Sequence, residues 1–322
     1  MPRSFPKPTF SHSYIAESEI QRLRNYRDTK TGRQIPAKKN DHLLLATWNI
    51  ANLGGQKRTP KDYAILAEII SWFDIIAIQE TKDELSGIRA ILAALPDHYQ
   101  MIFSDKAGNE ERMAFIYDSA KFSLGEKIGE LSVPASSLKH IKLPNIPSNF
   151  FKGFDRTPYI VSFRSQTTTF VLVNAHLYFG PSKDKDLKRR SLEAYAVSRW
   201  GDLRRKDKDR YADKIIVLGD FNLPKVEPGD LIYTALKKRG LIRPHHSTKI
   251  YSNINNDKDY DQIMFFPGTV KKAHTQRIGV FDFDGALFKE LWESRSAAQF
   301  KTYLRYYISD HRPLWAEFKL DS

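Results

Sequence analysis

Five short polar motifs each follow an apolar segment, and they are distributed along most of the length of the chain. They are Trp48-Asn49-Ile50, Gln79-Glu80, Asn174-Ala175-His176, Gly219-Asp220-Phe221-Asn222 and Ser309-Asp310-His311. A strand buried on both faces is a continuous apolar run, so a polar residue at its end is carried to the rim of the sheet. If these rims converge, they form a pocket rich in carboxylates and histidine. Metal-assisted attack on a phosphate ester requires such a set of groups.

Three of these polar residues carry oxygen atoms that suit a hard divalent cation. Asn49, Glu80 and Asp310 supply neutral and anionic oxygens, which are the ligands that magnesium and manganese prefer. Because the chain has no cysteine, a metal must be held by oxygen and imidazole groups. We therefore predict that these three residues hold Mg²⁺ or Mn²⁺, although Asn49 could instead satisfy backbone groups in a turn.

Two histidines end apolar segments, and two acids stand where each could orient one of them. His176 or His311 alone could be a core histidine whose nitrogens are satisfied by neighbours. Glu111 and Asp261 favour a catalytic role over a structural one, because a histidine held by a carboxylate keeps one tautomer and an elevated pKa. Such a histidine can accept or deliver a proton beside an anionic ester. Two such pairs would serve the attacking water and the leaving oxygen.

Asp220 and Asn222 occupy alternate positions at one strand end and therefore point to the same side. One of them could accept a proton from water or position it, while the other donates a hydrogen bond to a phosphoryl oxygen. Arg156 stands just before Thr157-Pro158 and a strand, where its planar guanidinium could clamp a phosphate. Taken alone, Arg156 is better explained as a surface arginine.

The chain has 322 residues and a formal net charge of +13, with 51 Lys and Arg against 38 Asp and Glu. This excess favours a polyanionic partner such as nucleic acid, or an anionic membrane surface. Residues 1–40 hold nine Lys and Arg against three Asp and Glu, so almost half of the excess precedes the first motif. No segment resembles a membrane span or a secretory leader. We expect a cytoplasmic protein, and no protein partner can be inferred.

The elements that must position the motifs alternate between strands and helices. Patterning predicts strands at 43–50, 74–79, 99–104, 113–117, 159–164, 168–178, 214–218, 260–266 and 313–320, with helices at 11–27, 59–72, 83–95, 185–205, 228–239 and 287–303. Residues 124–158 are predicted to be irregular. Hairpins mixed with helix crossovers predict an α/β fold of two sheets packed face to face with helices outside. We assign residues 41–322 to one catalytic domain and residues 1–40 to a basic N-terminal extension, whose helix could pack on the domain or bind a partner.

Together the motifs resemble those of the endonuclease/exonuclease/phosphatase superfamily, and within it the pancreatic-type deoxyribonucleases. The resemblance runs from about Leu43 to Leu320. It extends to Arg156-Thr157-Pro158, Tyr260-Asp261-Gln262-Ile263, Phe281-Asp282-Phe283 and Ile308-Ser309-Asp310-His311-Arg312-Pro313. It implies a four-layer α/β/β/α sandwich that hydrolyses phosphodiesters with a divalent cation.

The resemblance also implies a role for each site residue. Glu80 would be the principal metal ligand, with Asn49 and Asp310 nearby. Glu111 would pair with His176, and Asp261 with His311. Asp220, Asn222 and Arg156 would handle the nucleophile and the scissile phosphate, and Lys82 would stand in the DNA minor groove. The chain departs from the family by lacking the disulfides of its secreted members, and Asn109 stands near the position of the family's tyrosine.

Three functions are compatible with these residues. The first is a metal-dependent DNA endonuclease of low sequence specificity that could also cut RNA, because phosphate contacts carry no sequence information and no base-reading motif is evident. The second is a phosphatase or phosphodiesterase of lipid or inositol headgroups. Its inositol branch is disfavoured, because Val217-Leu218 replaces the tryptophan before the Gly-Asp-Xaa-Asn motif. The third is a non-catalytic nucleic-acid-binding module, against which the intact acids and histidines argue.

Overall fold

A computed structural model of the protein describes residues 5–181 and 183–321, and this part of the chain forms eleven strands and eight α-helices. The strands are β1 (His42–Leu53), β2 (Ile75–Lys82), β3 (Tyr99–Phe103), β4 (Glu111–Asp118), β5 (Ser123–Glu130), β6 (Tyr159–Ser165), β7 (Thr168–His176), β8 (Lys214–Asp220), β9 (Asp261–Phe265), β10 (His274–Val280) and β11 (Leu314–Lys319). The helices are α1 (Ala16–Thr29), α2 (Pro60–Ser71), α3 (Ser86–Ala93), α4 (Asp184–Lys206), α5 (Leu231–Lys237), α6 (Thr269–Ala273), α7 (Lys289–Ser294) and α8 (Ala297–Tyr307). Residues 1–4 of the predicted extension lie outside the described residues.

The strands form two mixed sheets. The first has the order β10-β11-β1-β2-β4-β3, and the second has the order β5-β6-β7-β8-β9. Strands β1, β7 and β8 are buried along nearly their whole length, which explains their continuous apolar sequences. Because β1 pairs with β2 in parallel and β7 with β8 in parallel, the polar motifs that follow them emerge at one edge of each sheet.

Three apolar cores separate four layers of structure. The core between the sheets contains Leu45, Phe115, Phe163 and Leu172 together with other buried side chains from both. A second core joins the first sheet to α1, α2, α3 and α8, and a third joins the second sheet to α4 and α5. The predicted α/β/β/α sandwich is therefore confirmed. Among the described residues, no helix combines the length and the apolar character that crossing a membrane requires.

Two strands that the sequence analysis missed lie at the edges of the sheets. β5 occupies part of the segment predicted to be irregular, and β10 precedes the predicted last helix. An edge strand is partly exposed to solvent, so its sequence lacks the continuous apolar run of a strand that is buried on both faces. β5 is accordingly half exposed along its length, and the first residues of β10 are polar.

The first sheet is bulged where its polar motifs occur. β1 and β2 were predicted to end at Ile50 and Gln79, but they continue to Leu53 and Lys82 after shifts in register. Glu80 and Asn52 adopt positive φ angles of 61° and 45° within these shifts. A bulge inserts an extra residue and redirects a side chain, so the strands turn these polar groups toward the rim instead of ending there.

The described part of the N-terminal segment packs on the first sheet's helical layer. Leu23 of α1 is fully buried in the core that α2 and α8 share. Tyr14 donates a hydrogen bond to Asp62 at 2.6 Å, and Nε and Nη2 of Arg24 each donate to the Glu68 carboxylate at 2.8 Å. Among the alternatives that the sequence left open, the structure has the helix packed against the domain. The division at residue 40 stays a prediction.

A buried hydrogen-bond bridge joins the two sheets. Gln79 Nε2 of β2 donates to Asn174 Oδ1 of β7 at 2.7 Å and to Thr47 Oγ1 of β1 at 3.0 Å. Asn174 Nδ2 in turn donates to the carbonyl oxygens of Ile78 and Ala114. Both amides are fully buried. Gln79 and Asn174, one from each of two polar motifs, thus connect the sheets instead of lining a pocket.

We predict that Gln79→Ala lowers the free energy of unfolding by about 1–3 kcal/mol, because it leaves buried groups of Asn174 and Thr47 without partners. Urea denaturation followed by circular dichroism measures the change. Gln21→Ala on the exposed face of α1 is the matched control. A loss for Gln79→Ala no larger than that of the control would contradict the structural role of the bridge.

We predict that Leu23→Ala destabilises the whole protein by about 2–5 kcal/mol, because it opens a cavity in a core that α1 shares with the first sheet. The expected result is one unfolding transition that moves to lower urea concentration. A separate early transition, with the main one unchanged, would instead show that residues 1–40 unfold as an independent extension.

Candidate active site

A cavity of about 430 Å³ lies where the rims of the two sheets meet. Eight of the predicted site residues line it, and they come from both sheets and the loops between them: Glu80, Glu111, Arg156, His176, Asp220, Asn222, Asp310 and His311. Asn49 and Asp261 lie behind its wall, where both are buried and touch carboxylates or imidazoles that line it. Lys82 does not line the cavity, but it contacts Glu111, which does.

Asn49 connects the acids of the two sheets. Its Nδ2 donates to Glu80 Oε1 at 2.9 Å and to Asp220 Oδ2 at 3.0 Å. The other oxygen of Glu80 accepts the backbone N–H of Asn52 at 2.8 Å. Asn52 and Glu80 both have positive φ angles and lie where the register between β1 and β2 shifts. This irregularity brings the backbone N–H of Asn52 to the side chain of Glu80.

His311 is held on three sides. Its Nδ1 lies 2.8 Å from Asp261 Oδ2, its backbone N–H donates to Ser309 Oγ, and its carbonyl accepts from Trp48 Nε1 at 2.7 Å. Burial by itself would lower the pKa of His311, but the charges of Asp261 and Asp220 outweigh burial and hold the pKa well above its ordinary value. The raised pKa favours the protonated imidazole, which has Nε2–H to donate.

His176 has a looser arrangement. Its Nδ1 lies 3.3 Å from Glu111 Oε2 without hydrogen-bond geometry, and its Nε2 lies 3.5 Å from Asp220 Oδ2. Burial would raise the pKa of Glu111, but contact with His176 together with the charges of Arg156 and Lys82 lowers it overall. The two nitrogens of the His176 imidazole therefore face two carboxylates. Hydrogen bonds at active sites are often long without substrate, so these distances are compatible with a catalytic pair.

Asp220 stands between the two histidines. Its Oδ2 lies 3.5 Å from His176 Nε2 and 3.9 Å from His311 Nε2, while its Oδ1 accepts the backbone N–H of Asn222 at 2.7 Å. Burial would raise the pKa of Asp220, but the charges of His311 and His176 and the donated hydrogen bonds lower it. Asp220 is thus a buried carboxylate, ready to accept a hydrogen bond or a proton. Asn222 Nδ2 donates to the Leu177 carbonyl, so its amide nitrogen already has one partner.

Arg156 and Lys82 are engaged with the protein itself. Arg156 is almost fully buried and donates to the carbonyls of His176 and Leu177 and to Asp155, so it fixes the end of β7. Lys82 Nζ lies 3.4 Å from both the Asn109 carbonyl and Glu111 Oε1. The phosphate clamp and the minor-groove contact that were expected of them remain predictions.

Helix α4 holds the loops on the His176 side of the cavity. Arg190 donates to the carbonyls of Tyr178, Gly180 and Asn222. Glu193 accepts the backbone N–H groups of Asp155 and Tyr178, which flank Arg156 and His176 in sequence. Burial raises the pKa of Glu193 to about 7, although these donors oppose the shift. Charged residues on a helix predict a solvated face, so the sequence did not reveal this role.

The oxygen groups around Asn49 fit a divalent cation. Asn49 Oδ1 is buried and has no hydrogen-bond partner among the described residues, which is costly unless a ligand occupies it. Desolvation and the charge of Glu80 raise the pKa of Asp310 although His311 and Arg305 oppose the shift, so the positive charges nearby compensate these acids only in part. A second group, Asp220, Asp261 and His311, has ligand atoms within 4.8 Å of one another and could also hold a metal ion.

Several cavity residues were not found from the sequence. Phe5, Asn52, Phe179, Asn253 and Arg305 all line the cavity. Asn52 and Phe179 stand within three residues of a motif, which is a signal that could have found them. Arg305 stands on α8, four residues before the Ser309 motif. Phe5 lies far from any motif, in an apparently separate N-terminal segment, and only the packing of that segment brings it to the cavity.

Comparisons with known proteins bear on the fold and on the family resemblance. No protein-family model matches the chain. A protein named deoxyribonuclease from Thioalkalivibrio sp. (strain K90mix) is 27% identical over 296 residues, which are 86% of this chain and 71% of that protein.

Solved structures share the fold. An endonuclease/exonuclease/phosphatase family protein from Bacteroides thetaiotaomicron superposes with a TM-score of 0.57 at 21% identity, covering 87% of this chain and 95% of its own. TDP2 from D. rerio, complexed with single strand DNA product, has a TM-score of 0.56 at 14% identity, covering 86% of this chain and 99% of its own. The comparisons confirm the sandwich fold and the resemblance to the endonuclease/exonuclease/phosphatase superfamily.

Proposed function

We propose that the chain is a divalent-metal-dependent phosphodiester hydrolase, and that its substrate is DNA cut with low sequence specificity. The observation that carries the proposal is the arrangement of His176 and His311 on either side of Asp220, each with its second nitrogen facing another acid. This arrangement provides two proton-transfer groups around one buried carboxylate. A purely structural cluster would have no need of two such pairs open to one cavity.

Glu80, Asn49 and Asp310 would hold the cation, since they offer the all-oxygen set that magnesium and manganese prefer. The group formed by Asp220, Asp261 and His311 suits this purpose less well, because His311 Nδ1 and Asp261 Oδ2 are already bonded to each other. When bound, a divalent ion would neutralise charge that develops on a phosphoryl oxygen. Whether magnesium or manganese is used stays part of the proposal.

The chain's own residues supply the proton transfers. Asp220, with its lowered pKa, would orient an attacking water and accept its hydrogen bond. His311, whose pKa is raised and whose tautomer Asp261 fixes, would donate from Nε2 to an oxygen that gains negative charge. His176, on the other side of Asp220, would accept the proton that the attacking water loses. Asn222 would donate one amide hydrogen to a phosphoryl oxygen.

The charge and the comparisons favour nucleic acid as substrate. The net charge of +13 attracts a polyanion, and the 27% identical protein carries the name deoxyribonuclease. The TDP2 structure of the same fold holds single-stranded DNA. We therefore favour DNA, with RNA as a further substrate, and a cytoplasmic location remains a prediction of the sequence.

The function is tested by incubating purified protein with supercoiled plasmid and, separately, with sphingomyelin and phosphoinositides. Each is tested with magnesium, with manganese and with a chelator. Nicking that requires metal is the expected result. Headgroup release without nicking would replace the proposal with a lipid phosphodiesterase, and binding of DNA without any turnover would favour the non-catalytic module.

We predict that Glu80→Gln lowers kcat for plasmid nicking by roughly a hundredfold or more and raises the metal concentration needed for half-maximal rate. The change removes a charge that would bind the cation but keeps the size of the side chain. Glu126→Gln on the exposed edge strand β5 is the control. Full activity of Glu80→Gln at unchanged metal dependence would refute its assignment as a ligand.

We predict that His176→Ala and His311→Ala each lower kcat by about two to four orders of magnitude, because each removes a group that moves a proton in the transition state. Single-turnover rates separate this chemical step from product release. The exposed His140→Ala variant is the control. A loss much below tenfold for either variant, in a protein with unchanged thermal stability, would return that histidine to a structural role.

A further inference from the structure

The cavity has a marked shortage of positive charge. Five carboxylates line it, namely Glu80, Glu111, Asp220, Asp257 and Asp310. Among the described residues, two arginines and no lysine line it, and these are Arg156 and Arg305. A nucleic-acid strand brings one phosphate to the reacting centre and further phosphates beside it. Because the proposed cation serves the first, the neighbouring phosphate needs a protein cation of its own.

Of the two arginines, Arg156 is committed to the protein. Its Nε and both terminal nitrogens donate to the carbonyls of His176 and Leu177 and to Asp155. Arg305, in the last turn of α8, donates no side-chain hydrogen bond to any described residue, and its Nε is buried without a partner. Its nearest anion is Asp310, whose Oδ2 lies 3.6 Å from that Nε. Arg305 is therefore the guanidinium with donors to spare.

Phe5 holds the Arg305 guanidinium from one side. The Cζ of Arg305 lies over the Phe5 ring, 4.9 Å from its centroid, and both residues line the cavity. An aromatic face attracts a guanidinium and restricts its plane while leaving the edge, which carries the N–H donors, unobstructed. The side chain of Arg305 is 33% exposed and lines the cavity, so a ligand in the cavity can contact the part of it other than the buried Nε.

We propose that Arg305 forms a subsite for a second phosphate, adjacent to the phosphate that is hydrolysed, and that Phe5 is a positioning residue for it. The proposal rests on the proposed function and specifies its substrate class. A planar fork binds a phosphate through two parallel N–H donors. The subsite selects a polynucleotide, which has consecutive phosphates, over a diester with a single phosphate. It also gives the N-terminal segment a part in substrate binding.

The first test compares two short oligothymidylates. In one, the central phosphodiester has natural neighbours, and in the other both neighbours are uncharged methylphosphonates. The readout is the ratio of kcat/KM for cleavage at the central linkage, with products identified by mass spectrometry. Since any effect of a variant on Asp310 or the cation acts on both substrates, this ratio isolates recognition of the neighbouring phosphate.

For the unaltered protein, neutral neighbours should lower kcat/KM by about 10- to 100-fold, the effect of losing charge-assisted hydrogen bonds. In Arg305→Ala the ratio should fall close to one, and Arg305→Lys should keep an intermediate ratio because it retains charge without the fork. Lys301→Ala, on the same helix but outside the cavity, should keep the full ratio. Phe5→Leu should reduce it part of the way, without a change in thermal stability.

The second test needs no catalysis. Binding of the natural oligothymidylate, in chelator, is followed by fluorescence anisotropy across a range of salt concentrations. In Arg305→Ala the slope of log Kd against log salt should fall by about 0.7, the value for one phosphate contact to a single strand. Lys301→Ala should leave the slope unchanged.

Either of two results would overturn the subsite. One is a methylphosphonate ratio that is the same in Arg305→Ala as in the unaltered protein. The other is a salt slope that Arg305→Ala and Lys301→Ala share. Failure of the proposed function gives a different pattern, in which no substrate is cleaved under any metal condition. The binding experiment then still decides whether Arg305 contacts a phosphate.

Discussion

The hydrogen bond between Gln79 and Asn174 is the constraint on which the cavity depends. Apolar side chains between two sheets set their separation but define their relative position less strictly, because dispersion and burial are not directional. A buried amide pair is directional, and a slip would leave its donors unsatisfied. Glu80 directly follows Gln79, and His176 is two residues beyond Asn174. The lock between the sheets therefore also sets the distance between the two halves of the site.

Beyond that lock, the site is assembled from groups that would be unstable alone. Asp220 is a buried carboxylate, and it is stabilised by two histidines, the Asn49 amide and the Asn222 backbone. His311 is a buried cation that the neighbouring acids stabilise in turn. Each charge is tolerated because the others are present, which is the usual condition for buried ions. The unpartnered Asn49 Oδ1 and the acids near it are where this balance is incomplete, and a cation would complete it.

The N-terminal segment has two roles in this structure. Leu23, Tyr14 and Arg24 attach it to the helices that cover the first sheet. That attachment brings Phe5 to the cavity beside Arg305. The high positive charge of residues 1–40 alone predicts a loose contact with a polyanion, whereas the packed segment places a defined aromatic side chain next to a defined guanidinium. The packing that attaches the segment is therefore also what positions Phe5 beside Arg305.

The sequence by itself determined the α/β/β/α architecture, the central strands and the candidate site residues, because buried strands are apolar runs and the polar motifs interrupt them. It did not determine the edge strands β5 and β10, whose exposed faces carry no such pattern. It also gave no reason to expect that Gln79 and Asn174 bond to each other, or that Arg156 and Lys82 turn to protein groups. Only the tertiary structure decided these points and brought Phe5 to Arg305, because hydrogen-bond partners far apart in the chain are chosen by packing and leave no local signal.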